Sequence, residues 1–240
     1  MTILVFVLCT TLPKIAFSQV VKNPLRNHAS NKTGKIEVLN LSYEVNVANH
    51  PYLLQETLAC ARILKDSGWD DFNQAALQDP ILQALSPSTA QSYLRAIRHR
   101  LEDVPPKLIS FLASEDEGTA QLTLLYILLH KNRLLRELVE EAIRDSVLDG
   151  EPVVSKQLIE NFFESKREAS AVLKEWSDTT WRKFWGNTLK TLQISGLLQG
   201  QDPVNLVMQE IPTELQTWLK AQGEDVYLQL LLDKEAYSFA

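Results

Sequence analysis

A mainly α protein with two helical lobes is the fold class this sequence predicts, and three observations carry it. Apolar residues recur at helical spacing almost continuously from Leu53 onward. Glycine and proline are scarce, 8 and 10 in 240 residues, so few tight turns are encoded. One stretch alone, around residues 200–203, reads as extended. The expected layout is a disordered or mis-assigned extension over residues 1–35, then an N-terminal lobe over 36–150 with a helix-turn-helix-like element. A C-terminal, winged-helix-like lobe with a short β-hairpin follows over 151–240.

The elements follow in order. MTILVFVLCTTL is apolar, but it is shorter than the roughly 20 residues a spanning helix needs. Ala16-Phe17-Ser18 fits a small-x-small cleavage pattern, yet no basic residue precedes the run and Lys14 follows it at once. A signal peptide and a wrongly assigned start both remain open, and the polar stretch VKNPLRNHASNKTGK reads as disordered.

PYLLQETLACARILKDSG places Leu54, Leu58 and Ala61 on one stripe and stops at Gly68. A shorter helix runs over residues 70–77, with Asp70 and Asp71 at its positive end. Pro80 interrupts, ILQAL makes a brief apolar turn, and Ser86-Pro87-Ser88 starts the next helix. There Ala90, Leu94, Ile97 and Leu101 share an inward face, and Val104-Pro105-Pro106 stops it.

PKLISFLA, an acidic loop SEDEG, and TAQLTLLYILLH come next. The last is apolar nearly all round and reads as the central core helix. NRLLRELVEEAIRDSVLDG mixes apolar and charged faces, and Asp149-Gly150-Glu151-Pro152 marks the lobe boundary. Ser155 caps another helix, and Ser177 or Asp178 caps a strong one that ends at Gly196. GLLQGQDPVNLVMQEIP forms the hairpin, and the tail is helical and acidic.

A formal net charge of −6 argues against a chain that simply coats nucleic acid, but a local patch acts over about a Debye length, roughly 8–10 Å. Cys9 and Cys60 have no metal-type spacing, the four histidines are scattered, and no nucleotide-loop, zinc-protease or nucleophile-elbow motif occurs. No enzyme activity, cofactor, metal or small-molecule substrate is expected.

The distinctive stretch is SPSTAQSYLRAIRHR. Ser88, Gln91, Ser92, Arg95 and His99 share its outward face, with Arg98 beside them and Arg100 close by. A short helix, a connection and an amphipathic helix with a polar-basic face is a common way to offer side chains to a major groove. Ser88, Gln91 and Ser92 would meet base edges or phosphates, while Arg95, Arg98 and Arg100 would hold phosphates through paired hydrogen bonds. The connection is longer than the usual turn, and a solvated helix face competes with this reading.

Two further clusters add positive charge. Lys131, Arg133 and Arg136 follow His130 at a helix junction. Arg182, Lys183 and Lys190 lie opposite a stripe of Trp181, Phe184, Trp185, Thr188 and Leu192, whose aromatics read as core rather than base-stacking surfaces. The wing QGQDPVN carries no lysine or arginine, which argues against a strong phosphate grip there.

The run from Ser42-Tyr43 through ETLACARILKDSGWDDF, LSPSTAQSYLRAIRHRLE, LLREL and SDTTWRKFWGNTLKTLQISGLL resembles the BrxA family of BREX bacteriophage-defence systems, over about residues 36–219. In that family the stretch before the domain is usually short, in line with an extraneous 1–35. The resemblance implies a cytoplasmic, mostly helical protein likened in fold to the NusB antitermination factor and able to bind double-stranded DNA. It further implies a non-catalytic component beside larger BREX proteins, with no membrane partner. Two alternatives stand: an assembly subunit whose arginine face pairs with a partner's acids, and a secreted helical protein resting on the first 18 residues.

Overall fold

The computed structural model describes residues 42–45, 50, 52–144, 153–201, 204–207, 209–224 and 227–228. All lie in one compact unit that spans Asn31–Ala240. The expected extension over residues 1–35, the signal-peptide pattern and the boundary residues 149–152 fall outside the described residues.

The chain enters helix α1, Leu54–Gln78, through Leu53, which adopts a left-handed conformation at φ 49°. Leu53 is a bulky residue in a conformation that glycine normally takes, so the surroundings must hold it there. Gly68 leaves helical geometry inside α1, at φ 69° and ψ −172°, and splits it where the sequence places a stop. The segment after Gly68 carries Phe72 and Ala76 into the core.

ILQAL, expected as a turn, forms a single-turn helix α2, Pro80–Gln83, capped by the Asp79 carboxylate on the Ile81 amide. Helix α3, Pro87–Leu101, starts where Ser86 accepts from the Thr89 amide, with Pro87 in the first turn. Its Ala90, Leu94, Ile97 and Leu101 are buried, as the spacing predicts. Leu94, Ile97 and Leu101 are each worth about 1.5–3 kcal/mol when taken fully out of water.

Helix α4, Pro106–Leu112, leads to α5, Glu117–Lys131, which is capped by Asp116 at the Thr119 amide. Part of the SEDEG loop thus serves as the cap and first turn of α5. Residues 122–130 of α5 are buried without a break, making it the core helix. Around it pack Tyr126 with His130, Trp218 and Tyr227 at ring distances of 4.3, 6.0 and 5.0 Å. Asn132 ends α5 and caps α6, Arg133–Glu137, through the Leu135 amide. α6 then widens into a π-helical turn, Leu138–Ile143, that keeps Leu138, Val139, Ala142 and Ile143 buried.

In the second half, α7 spans Lys156–Ala169 from a Ser155 cap, and α8 spans Ala171–Lys174. The long helix α9, Asp178–Ile194, starts at Ser177, whose hydroxyl accepts from the Thr180 amide. The expected hairpin is present as β2, Leu198–Gln199, and β3, Val204–Leu206. A third strand that the sequence did not announce, β1 at Val153–Val154, pairs antiparallel with β3, giving the order β1-β3-β2. Helix α10, Thr213–Gln222, ends at Gly223 in a left-handed cap.

One continuous hydrophobic core runs from Tyr52 through α5 to Leu228, and it includes both halves of the chain. The Tyr227 hydroxyl donates to the Leu122 carbonyl at 2.8 Å, and Lys166 of α7 pairs with Glu137 and Glu141 of the α6 region. Among the described residues no helix is long and apolar enough to cross a membrane, and no group of His, Cys, Asp and Glu is arranged to hold a metal.

Candidate nucleic-acid interface

Helix α3 builds the site. Its apolar stripe fixes rotation against the core, so the opposite face is turned outward by packing alone. Ser88, Gln91, Arg95 and His99 are exposed on that face, with Ser92 and Arg98 half-buried at its edges. The basic end also suits the helix itself, because Arg98, His99 and Arg100 sit in the last turn, where the backbone carbonyls leave partial negative charge.

The arginines have different surroundings. Arg95 makes no hydrogen bond or ion pair with any described residue. Arg98 donates through Nε to Glu102 at 3.2 Å and lies 5.3 Å from the centre of the Trp69 ring. Arg100 departs from expectation. It is buried, and its guanidinium donates to the Tyr52 carbonyl at 2.8 Å, with longer contacts of 3.4 Å to Thr57 Oγ1 and the His50 carbonyl. Arg100 therefore serves the interior, not an outward phosphate-holding row. Burial lowers its pKa from the usual value to about 10, which leaves it charged at neutral pH, and Tyr52 and Glu56 oppose that drop.

Lys131 arrives at the same end of α3 from α5. Its Nζ donates to the Glu102 carbonyl at 2.6 Å, satisfying an oxygen beyond the end of the α3 ladder. Burial pulls its pKa below the usual lysine value, against the attraction of Asp103, Glu102 and Glu44. His50, Arg95, His99, Arg100 and Lys131, together with Ala96, Leu128 and Asn132, line a cavity of about 260 Å³. A second hollow of about 320 Å³, between α1 and α3, is lined by Asn73, Leu77, Gln91, Leu94, Arg95 and Arg98. Arg95 thus borders both.

The remaining basic residues divide by partner. Arg133 pairs with Glu137 at 2.6 Å and lies 4.4 Å from the Tyr43 ring centre, while Arg136 faces Glu140 at 3.9 Å. These two are held by carboxylates of their own helical stretch. Arg182, Lys183 and Lys190 are exposed on α9, and Arg182 Nε donates back to the Asp178 carbonyl at 3.4 Å. None of the three lines the α3 cavity. Phe184 is fully buried and Trp181 and Trp185 are half-buried, so the aromatic stripe packs inward. The two tryptophans also border a groove of about 380 Å³ with Phe163, Gln157, Glu160, Glu164, Arg167 and Arg182.

The sequence reading missed two contributors. His50 stands 49 positions from His99, and no local pattern links them. Trp69 opens the second segment of α1, where its aromatic character gives no sign that Arg98 will cover it.

The sequence model of the BrxA family matches residues 41–223. The chain belongs to the BrxA family. It is 22% identical over 193 residues to a protein named BREX protein BrxA from Bacillus cereus (strain H3081.97), covering 79% of this chain and 96% of that one. A namesake from Escherichia coli O9:H4 (strain HS) is 24% identical, covering 77% and 87%. The namesake from Paramagnetospirillum magneticum (strain ATCC 700264 / AMB-1) is 20% identical, with shares of 79% and 96%. The BrxA fold seen here also matches the crystal structure of an uncharacterized protein from Magnetospirillum magneticum. That match has a TM-score of 0.65 at 19% identity over 79% of this chain and 98% of the other.

Proposed function

We propose that this BrxA-family chain is a non-catalytic, double-stranded DNA-binding component of a BREX-type phage-defence system. The observation that carries the reading is the outer face of α3. Arg95 is exposed and bonded to no described residue, His99 is exposed, and Ser88, Gln91 and Ser92 lie toward the helix start. A polar-basic helix face following a broken helix matches the way such side chains are presented to duplexes. Family membership supports the defence-system assignment and a working partnership with other BREX proteins.

Binding is chiefly electrostatic in this reading. Arg95 neutralises a phosphate directly, and Arg98 does so by exchanging Glu102 for the backbone. Lys131, Arg182, Lys183 and Lys190 extend the contact, whereas Arg133 and Arg136 contribute less because each must leave a carboxylate. Gln91 and Ser92 supply a modest base preference. Affinity then falls with salt, log against log, with a slope of about 0.9 per phosphate contacted.

Fluorescence anisotropy of a labelled random-sequence duplex, titrated across salt with wild type and Arg95→Glu/Arg98→Glu, tests this. The expected result is salt-sensitive wild-type binding that the double variant loses. An assembly subunit without DNA contact is the second reading, favoured by the exposed apolar side chains of Trp69 and Leu77 beside the same face. Absence of duplex binding even at low salt, with loss of BREX-protein association in the double variant, selects that reading instead.

A further inference from the structure

The cavity at the end of α3 has a property that an open DNA-facing ridge lacks: it is concave, and the titratable groups among its described lining residues are all basic. Arg95, His99, Lys131, His50 and Arg100 come from three separate stretches of the chain, and no carboxylate is among the described residues that line the space. Cations gathered this closely repel one another, and an anion seated among them would relieve that repulsion. Glu102, Asp103 and Glu44 attract Lys131, and Glu56 attracts Arg100, from outside the lining.

Two details point to a ligand. Lys131 commits one of its donors to the Glu102 carbonyl, which fixes the ammonium in place and leaves others to give. Arg95 stands at the cavity wall with its guanidinium fork bonded to no described residue. The repulsion is also visible in His50, whose pKa falls through burial and then through Arg100 and Arg95.

We propose that the cavity bounded by His50, Arg95, His99 and Lys131 binds a terminal phosphate group, a phosphomonoester dianion. A terminal phosphate fits a recess better than a backbone phosphodiester, which carries a sugar on both sides. It also offers three acceptor oxygens and a charge near −2 to a converging set of donors. Two sources share this chemistry, the 5′-phosphate of a DNA end and a free phosphorylated metabolite. The site does not depend on the duplex-binding reading, since a small phosphomonoester is enough to test it.

Isothermal titration of the full chain with inorganic phosphate, a nucleoside 5′-monophosphate and the unphosphorylated nucleoside is the experiment. Wild type is compared with Arg95→Gln/His99→Gln and with Lys131→Met. The expected result is binding of the monophosphate and inorganic phosphate but not of the nucleoside. Each variant should weaken binding about tenfold or more, the effect of losing a charge-assisted hydrogen bond. His99→Gln alone, at an exposed side chain, keeps the test valid if Lys131→Met fails to fold. No phosphate binding by wild type, or binding that every variant retains in full, overturns the proposal. A parallel comparison of 5′-phosphorylated with 5′-hydroxyl duplexes assigns the source. Tighter binding of the phosphorylated duplex indicates a DNA end, and equal binding beside monophosphate binding indicates a free compound. Failure of both duplexes to bind refutes the duplex reading and leaves the cavity assignment standing.

Discussion

The Arg100 guanidinium donates to the Tyr52 carbonyl at 2.8 Å, reaching across 48 residues of sequence to the turn that precedes α1. Tyr52 in turn donates its hydroxyl to the Gln121 carbonyl at 2.8 Å, so α3, α5 and the start of α1 are joined through one residue. The left-handed Leu53 follows directly, and its unfavourable backbone conformation is held between these anchors. Arg100→Met should lower stability by about 2–4 kcal/mol, because inner carbonyls lose a charged donor. Chemical denaturation checks this.

Two glycines predict opposite outcomes for the same substitution. Gly68 sits at φ 69° and ψ −172°, where a side chain is strained even though a Cβ would meet nothing within 4 Å. Gly68→Ala should therefore cost about 1–3 kcal/mol through backbone strain alone. Gly186 lies exposed inside α9 with equally open space around it, and Gly186→Ala should stabilise by about 0.5–1 kcal/mol. Paired urea melts of the two variants give the comparison.

Acid should loosen the joint between α6 and α7. Burial alone would raise the Glu137 pKa, but hydrogen bonds from Arg133, Lys166 and Tyr43 outweigh it and hold the carboxyl below its ordinary value of 4.5. A depressed carboxyl contributes stability above its unfolded pKa, and that contribution is lost as pH falls through the folded value. Stability should thus decline from about pH 4.5 downward, and Glu137→Gln should flatten that part of the profile. Melting temperature against pH for the two proteins is the readout.

The thiol of Cys60 should be silent in the native state. It is fully buried, and burial pushes it up to about 12, with Asp79 and Glu56 adding to the rise. The thiolate is the reactive form, so labelling by a thiol reagent at neutral pH should track unfolding. In a Cys9→Ser background, labelling as fast in buffer as in denaturant would contradict this burial.

Much of the fold was legible because its local signals agree. Ser86, Ser155 and Ser177 cap helices where their positions suggest, and the Ala90-Leu94-Ile97-Leu101 stripe is the buried face of α3. The fate of Arg100 was legible in principle. At about 100° per residue it lies about 60° from Ile97 on the core side, whereas Arg95 and His99 lie about 160° away. Its charge suggested an outward role, and the carbonyls that accept it come from a distant stretch. Strand β1 was not legible, because two valines gain strand character only from the partner they meet. The cavity was hidden for the same reason, since His50 joins it through tertiary packing.

Strand β1 also constrains the order in which this half of the chain can form. Val153 pairs with Asn205, about fifty residues later, with α7, α8 and α9 looped between them. Closing so long a loop carries an entropic cost that the few ladder bonds recover only after the helices have shortened the path. The hairpin β2–β3 can close early on its own contacts, while β1 has to wait for the helical loop. Its docking thus closes a long loop around three helices: a chain that stops before residue 205 lacks the partner that gives Val153 and Val154 their strand.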